Sequence, residues 1–143
     1  MGKGNTFSND LLKLTFNATA IANIADNAAS SPLTNLFVSL HTANPGAGGT
    51  QATSEAAYTS YARVSVARTT GGWTASASQS TSPVAAITFP AATGGSETET
   101  FGGIGVASSG ATKRLYSGTV TLNIVVSNGV TPQLTTGSTV TEA

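Results

Sequence analysis

Apolar residues near the start of the chain recur at alternating spacings of four and three. Phe7, Leu11, Leu14, Ala18, Ile21, Ala25 and Ala28 fall on one face of a helix predicted over residues 7–28. Ser8 stands as its N-cap, and Phe7 and Leu12 have the spacing of a hydrophobic staple. Asp10 lies in the first turn, where a carboxylate complements the helix dipole. Asn27, Ser30, Ser31 and Pro32 stop the helix. The stripe is expected to pack on its own domain, and an arm docking on a neighbour is the alternative.

After Pro32 the period changes to two. Leu36, Val38 and Leu40 alternate with Phe37, Ser39 and His41, which predicts a strand. A long loop rich in Gly, Ala and Thr begins at Asn44-Pro45-Gly46 and runs to about Ser60. Residues 61–69 read as a strand, with Val64 and Val66 opposite Arg63 and Ser65. Gly71-Gly72 fits a two-residue turn of positive φ, returning as a paired strand over 73–77. Ala85, Ile87 and Phe89 alternate up to Pro90. Residues 98–108 form a strand interrupted by Gly102-Gly103, where a bulge or a close backbone approach is expected.

Residues 114–126 give the longest strand, with Val120, Leu122, Ile124 and Val126 on its core face. Leu122→Asp should therefore unfold the domain. Asn128-Gly129 is the strongest hairpin signal, and Pro132 places the return strand at an edge. Six to eight short strands with regular turns imply a mainly β, antiparallel β-sandwich with one N-terminal helix. The expected organisation is a single domain over 1–143: a helical segment 1–31, a sandwich 32–134, and a strand or arm 135–143.

Composition narrows the function. Charged side chains are 8% of the 143 residues, six basic against six acidic. Typical domains carry about 25%. Without a basic patch the chain has no sequence-independent grip on nucleic acid. A surface with few charges and no net charge favours association with other copies or partners. There is no cysteine, so disulfides and thiolate chemistry are excluded. No stretch approaches the ~20 apolar residues of a membrane span. Asp10, Lys13, Asn17 and Asn23 interrupt any signal-peptide core, so use without export is expected.

Candidate chemistry is sparse. His41 is the one histidine, and its sequence neighbours offer no acid; an ordinary hydrogen bond is expected there. Glu97 and Glu99 share a strand face and are expected as two solvated charges at a loop edge. Gly103-Ile104-Gly105 lacks the rest of a dinucleotide loop, and Lys113 is misplaced for a phosphate loop. Asn17-Ala18-Thr19 is a glycosylation sequon inside the predicted helix. No catalytic, cofactor-binding or metal residue is assigned. The residues expected to contact partners are Phe7, Leu11, Pro45, Tyr58, Tyr61, Trp73, Thr139 and Val140. Tyr58→Ala should leave the fold intact and weaken assembly.

The segment LFVSLHTANPGAGGTQATSEAAYTSYARVSVARTTGGWT from Leu36 to Thr74 resembles a family of small tailed-bacteriophage structural proteins. The resemblance continues through AITFPAATGG from Ala86, FGGIGVASSGATKRLYSGTVT from Phe101 and VSNGVTPQL from Val126. Such proteins are variously labelled tail-fibre, capsid-decoration or structural proteins. The resemblance implies a non-enzymatic virion component without cofactor. A capsid decoration or cement protein of jelly-roll type on the outer capsid surface is the first expectation. It would be made in the host bacterial cytoplasm, and its partners would be the major capsid protein and other copies of itself. Nucleic acid, membrane and small-molecule substrates are not expected. A tail or tail-fibre-associated adaptor or host-recognition component is the alternative.

Overall fold

The computed structural model describes residues 4–21, 32–74 and 78–142. Among them the chain forms one helix, α1 (Asn5–Asn17), and eight strands. These are β1 (Asn35–His41), β2 (Val64–Ala67), β3 (Ser80–Thr81), β4 (Ile87–Thr88), β5 (Glu97–Gly105), β6 (Arg114–Val126), β7 (Gln133–Leu134) and β8 (Val140–Thr141). A four-stranded sheet has the order β2-β1-β5-β6, and β3-β8 and β4-β7 form two-stranded sheets. The β1–β5, β5–β6, β3–β8 and β4–β7 pairings are antiparallel. The fold is mainly β with one N-terminal helix, as the alternation of apolar residues requires.

The chain divides into two compact units. The first comprises Met1–Asn35, Val66–Ala86 and Thr135–Ala143; the second comprises Leu36–Ser65 and Ile87–Leu134.

In the first unit, α1 starts earlier and ends sooner than the spacing predicts. Gly4 is its N-cap and gives no side-chain cap, Ser8 lies inside the helix, and Asp10 falls after the first turn. The helix stops because Ala18 turns left-handed at φ 52°, and the Thr19 N–H donates back to the Lys13 carbonyl at 3.1 Å. Arg68 then donates to the Thr15 carbonyl at 2.6 Å and to the Leu14 carbonyl. A cation thus meets the free carbonyls of the last turn, where the helix dipole favours it. Residues 22–28 of the predicted helix lie outside the described residues.

The buried face of α1 is Ser8, Leu12 and Phe16, one residue out of step with the predicted stripe. The Phe16 ring sets this rotation by meeting Trp73 edge-on at 4.7 Å. The helix packs on its own unit. Gly71-Gly72 makes a turn, yet neither glycine has positive φ. Gly72 is needed for space instead: a Cβ there would sit 2.0 Å from the Ala67 carbonyl oxygen. Trp73 pairs with Pro83 and not with β2, so the predicted hairpin does not form. Residues 75–77 of its return strand are not among those described.

In the second unit, β1 is covered on both faces; Leu36, Val38, Ser39, Leu40 and His41 are all buried. Its place between β2 and β5 pairs both of its edges, and the burial of adjacent residues shows both faces covered. Strand β6 has the predicted bounds, but its alternation breaks. Glu99 pairs with Ile124 and Phe101 with Thr119, so Thr100 alone faces residues 120–123. The surplus bulges outward, with Leu122 at φ 61° and 90% exposed. Leu122 is therefore not a core residue, and Leu122→Asp removes no buried contact. Val126 is the fully buried member of that row. Asn128-Gly129 turns with Gly129 at φ 85°, but the return strand β7 pairs with β4 instead of β6. β8 pairs with β3, so the C-terminal stretch contributes a strand.

Candidate interaction surface

Arg63, Glu55, Tyr61, His41 and Glu97 of the second unit build an internal scaffold. Arg63 grips Glu55 with two bonds, Nε to Oε1 at 2.6 Å and an Nη2 bond to Oε2 at 2.7 Å. The two side chains are 2% and 16% exposed. The same guanidinium donates to the Ala107 carbonyl at 2.9 Å and the Gly110 carbonyl at 2.8 Å. It thereby ties the loop after β1 to the turn after β5. The Glu55 bond, and secondly its charge, raise the Arg63 pKa against the cost of burial. The Tyr61 hydroxyl donates to Glu55 Oε1 at 3.0 Å and accepts from the Leu40 N–H at 3.1 Å. Burial is the main cause of its strongly raised pKa.

His41 is fully buried. Its Nδ1 faces the Thr53 carbonyl at 2.9 Å, so Nδ1 carries the proton, and Nε2 accepts from the Ser39 hydroxyl at 2.9 Å. Burial lowers its pKa despite the Thr53 carbonyl and the Glu55 charge, which keeps the ring neutral. Glu55 pairs with His41 across an isolated bridge. Sequence spacing gave no sign of this acid, which stands fourteen positions away. The expected ordinary hydrogen bond is there, but in the core.

The glycines of β5 acquire a reason in this scaffold. A Cβ on Gly103 would lie 2.5 Å from His41 Nε2. A Cβ on Gly105 would lie 2.0 Å from Gln51 Cδ. Buried Gln51 accepts from the Val106 and Ala107 N–H groups at 3.0 and 3.2 Å and from the Thr112 hydroxyl at 2.7 Å. Gly103-Ile104-Gly105 makes room for two buried polar side chains. Of the expected pair Gly102-Gly103, Gly103 makes the close approach, and the register shifts between Glu99 and Phe101 and between Ile104 and Gly105.

The two acids of β5 are not solvated charges. Glu97 Oε1 accepts the N–H groups of Ala57 and Tyr58, each at 2.8 Å. Glu99 is fully buried, and neither of its oxygens finds a hydrogen bond of ordinary geometry. Burial first, then the neighbouring Glu97 carboxyl, push its pKa up to about 8. Two functions follow: Glu97 pins the loop, and Glu99 stays protonated near neutrality. Among the described residues no three His, Cys, Asp or Glu side chains are grouped to hold a metal ion. No helix among them is long and apolar enough to cross a membrane.

The residues expected at a partner contact are scattered. Tyr58, Trp73 and Pro45 are buried, Leu11, Tyr61 and Val140 half-buried, and Phe7 and Thr139 exposed. Tyr58 and Tyr61 meet edge-on at 5.3 Å, and Tyr61 stacks on Phe89. The Tyr58 hydroxyl donates to the Pro90 carbonyl at 2.9 Å. Tyr58→Ala consequently removes core contacts and reports on stability. The exposed surface that sequence reading missed is β6, the last strand of its sheet. Ser117, Gly118, Thr119, Thr121, Leu122, Asn123 and Val125 are exposed along it. Its positive φ depends on the β5 register, for which the local sequence holds no signal.

Residues 3–142 match the family model described as "Podophage GP4 fiber I protein gp80". No curated protein matches the chain.

Proposed function

Because the chain belongs to this podophage fibre family of virion structural proteins, we propose that it is a non-enzymatic component of the tail-fibre apparatus. The family match over nearly the whole chain carries this reading, and its description names a fibre protein. The physical features agree with a part that works by association. Arg63, Glu55 and Glu97 in the second unit are spent on internal bonds that tie loops to strands. From Leu115 to Val126 its long edge strand carries no charged side chain and offers a partly apolar surface that is cheap to desolvate. The fibre reading takes precedence over a capsid decoration role, in which the partner would be the major capsid protein.

Immunogold labelling of intact virions tests it, alongside co-sedimentation of the purified chain with isolated heads and isolated tails. Label on the fibres, in a handful of copies per particle, is the expected result. Saturable binding to heads in hundreds of copies would overturn the fibre reading and establish capsid decoration.

A further inference from the structure

We propose that Glu97 and Glu99 form a proton-operated latch on the segment 57–60: the segment is docked while the pair shares a proton and is released when that proton leaves. The inference does not rest on the fibre reading, since it concerns a movement within the second unit.

Alternation along β5 places Glu97 and Glu99, two positions apart, on one face of the strand. Glu97 commits Oε1 to the Ala57 and Tyr58 N–H groups, each at 2.8 Å. Glu99 beside it is fully buried, and neither of its oxygens has a hydrogen-bond partner of ordinary geometry. Two adjoining carboxylates that are both ionised repel, most of all where water is excluded. A proton on Glu99 removes one of the charges and makes its carboxyl a donor towards Glu97. The groups that face the pair leave this proton as the variable. Tyr58 faces it from the segment, and its hydroxyl, with a pKa pushed up to about 12 by burial and then by the two acids, stays neutral. Across β6 stand Ile124, Val125 and Val126, none of which titrates.

The segment can lift without unfolding its unit. Its flanks are anchored independently, by the Arg63–Glu55 fork and by the Tyr61 hydroxyl bond to Glu55. Between those anchors Ser60 holds a left-handed backbone at φ 81°, which strains an L side chain. Besides the Glu97 bonds, the Thr59 N–H donates to the Gly94 carbonyl at 3.0 Å and the Tyr58 hydroxyl to the Pro90 carbonyl. Lifting Tyr58 admits water to Glu99 and lets it ionise at ordinary cost. The docked state therefore binds a proton that the released state gives up. Docking is strongest below pH 4.5 and weakens as the pH climbs towards 8. His41, bonded to Thr53 ahead of the segment, titrates in the opposite sense, and its effect is confined below pH 6.5.

Amide hydrogen exchange of the full chain, followed by NMR and expressed as protection factors, tests the proposal, because those factors already discount the intrinsic rise of exchange with pH. The Ala57 and Tyr58 amides should lose protection about tenfold from about pH 6.5 to 7.5 and level off above about 8, which is the slope of one proton released. Amides in β1 should hold theirs. Glu99→Gln keeps the shape and should leave both segment amides flat over that window. Glu97→Ala removes the acceptor and should strip both of protection at every pH. The wild-type contrast between the segment and β1 keeps the test decisive if Glu99→Gln does not fold. Wild-type segment amides that stay flat, a Glu99→Gln chain that keeps the wild-type slope, or β1 amides that fall in step with Ala57 and Tyr58 would overturn the proposal.

Discussion

At the scale of single residues, Glu99 is the group most at odds with its surroundings. It is sealed from water, and its pKa lies at about 8, against 4.5 for the free side chain. The folded chain therefore holds a proton that the unfolded chain releases. Stability from this site is fully present below pH 4.5 and is lost as the pH rises towards 8. His41 acts in the opposite sense. Its lowered pKa favours the folded state above 6.5, and that contribution is lost as the pH falls below it. Glu99→Gln keeps the shape and removes the titration. Melting curves should show the wild-type midpoint falling between about pH 6.5 and 8, and the variant midpoint flat and higher at pH 8. An unchanged pH profile in the variant would mean that Glu99 ionises in the fold without cost.

At the scale of elements, two devices hold irregular connections to regular ones. The Arg63–Glu55 fork, with its bonds to the Ala107 and Gly110 carbonyls, joins the loop after β1 to the turn after β5. Arg63→Ala strands a buried carboxylate and should cost about 3–5 kcal/mol in urea titration. Arg63→Met with Glu55→Leu removes both charges and should recover much of that loss. The second device is the end of α1. Ala18 closes the helix in a left-handed conformation that glycine adopts without strain. Ala18→Gly should stabilise the chain by about 1 kcal/mol, raising the melting midpoint by roughly 3 °C. A fall in midpoint would show that the Ala18 side chain makes a contact worth more than the strain.

At the scale of the whole molecule, low charge decides how the chain meets its partners. Six positive and six negative side chains are few for 143 residues, and Glu55, Arg63, Arg68, Glu97 and Glu99 are committed to contacts within the chain. On the fibre reading proposed above, assembly rests on apolar and hydrogen-bonding contacts, which salt screens little. Raising the ionic strength from about 0.1 to 1 M should change the affinity of the chain for isolated tails less than threefold, measured by co-sedimentation. A steep fall with salt would point to an electrostatic contact.

What the sequence determined by itself is whatever depends on neighbours along the chain. Period-two alternation and turn residues specified a mainly β fold with one N-terminal helix, and the bounds of β6 at Arg114 and Val126 were legible directly. The glycines of β5 marked a close approach, which Gly103 makes to His41. What only the tertiary structure decided is whatever depends on partners far along the chain. Phe16 rotates α1 because Trp73 lies beside it, and β7 leaves the Asn-Gly turn to pair with β4. Leu122 points to water because a single residue of β5 faces four of β6. Glu99 is buried though its neighbours in sequence are polar. Local pattern sets which side of an element a residue takes, but register and pairing set what that side meets.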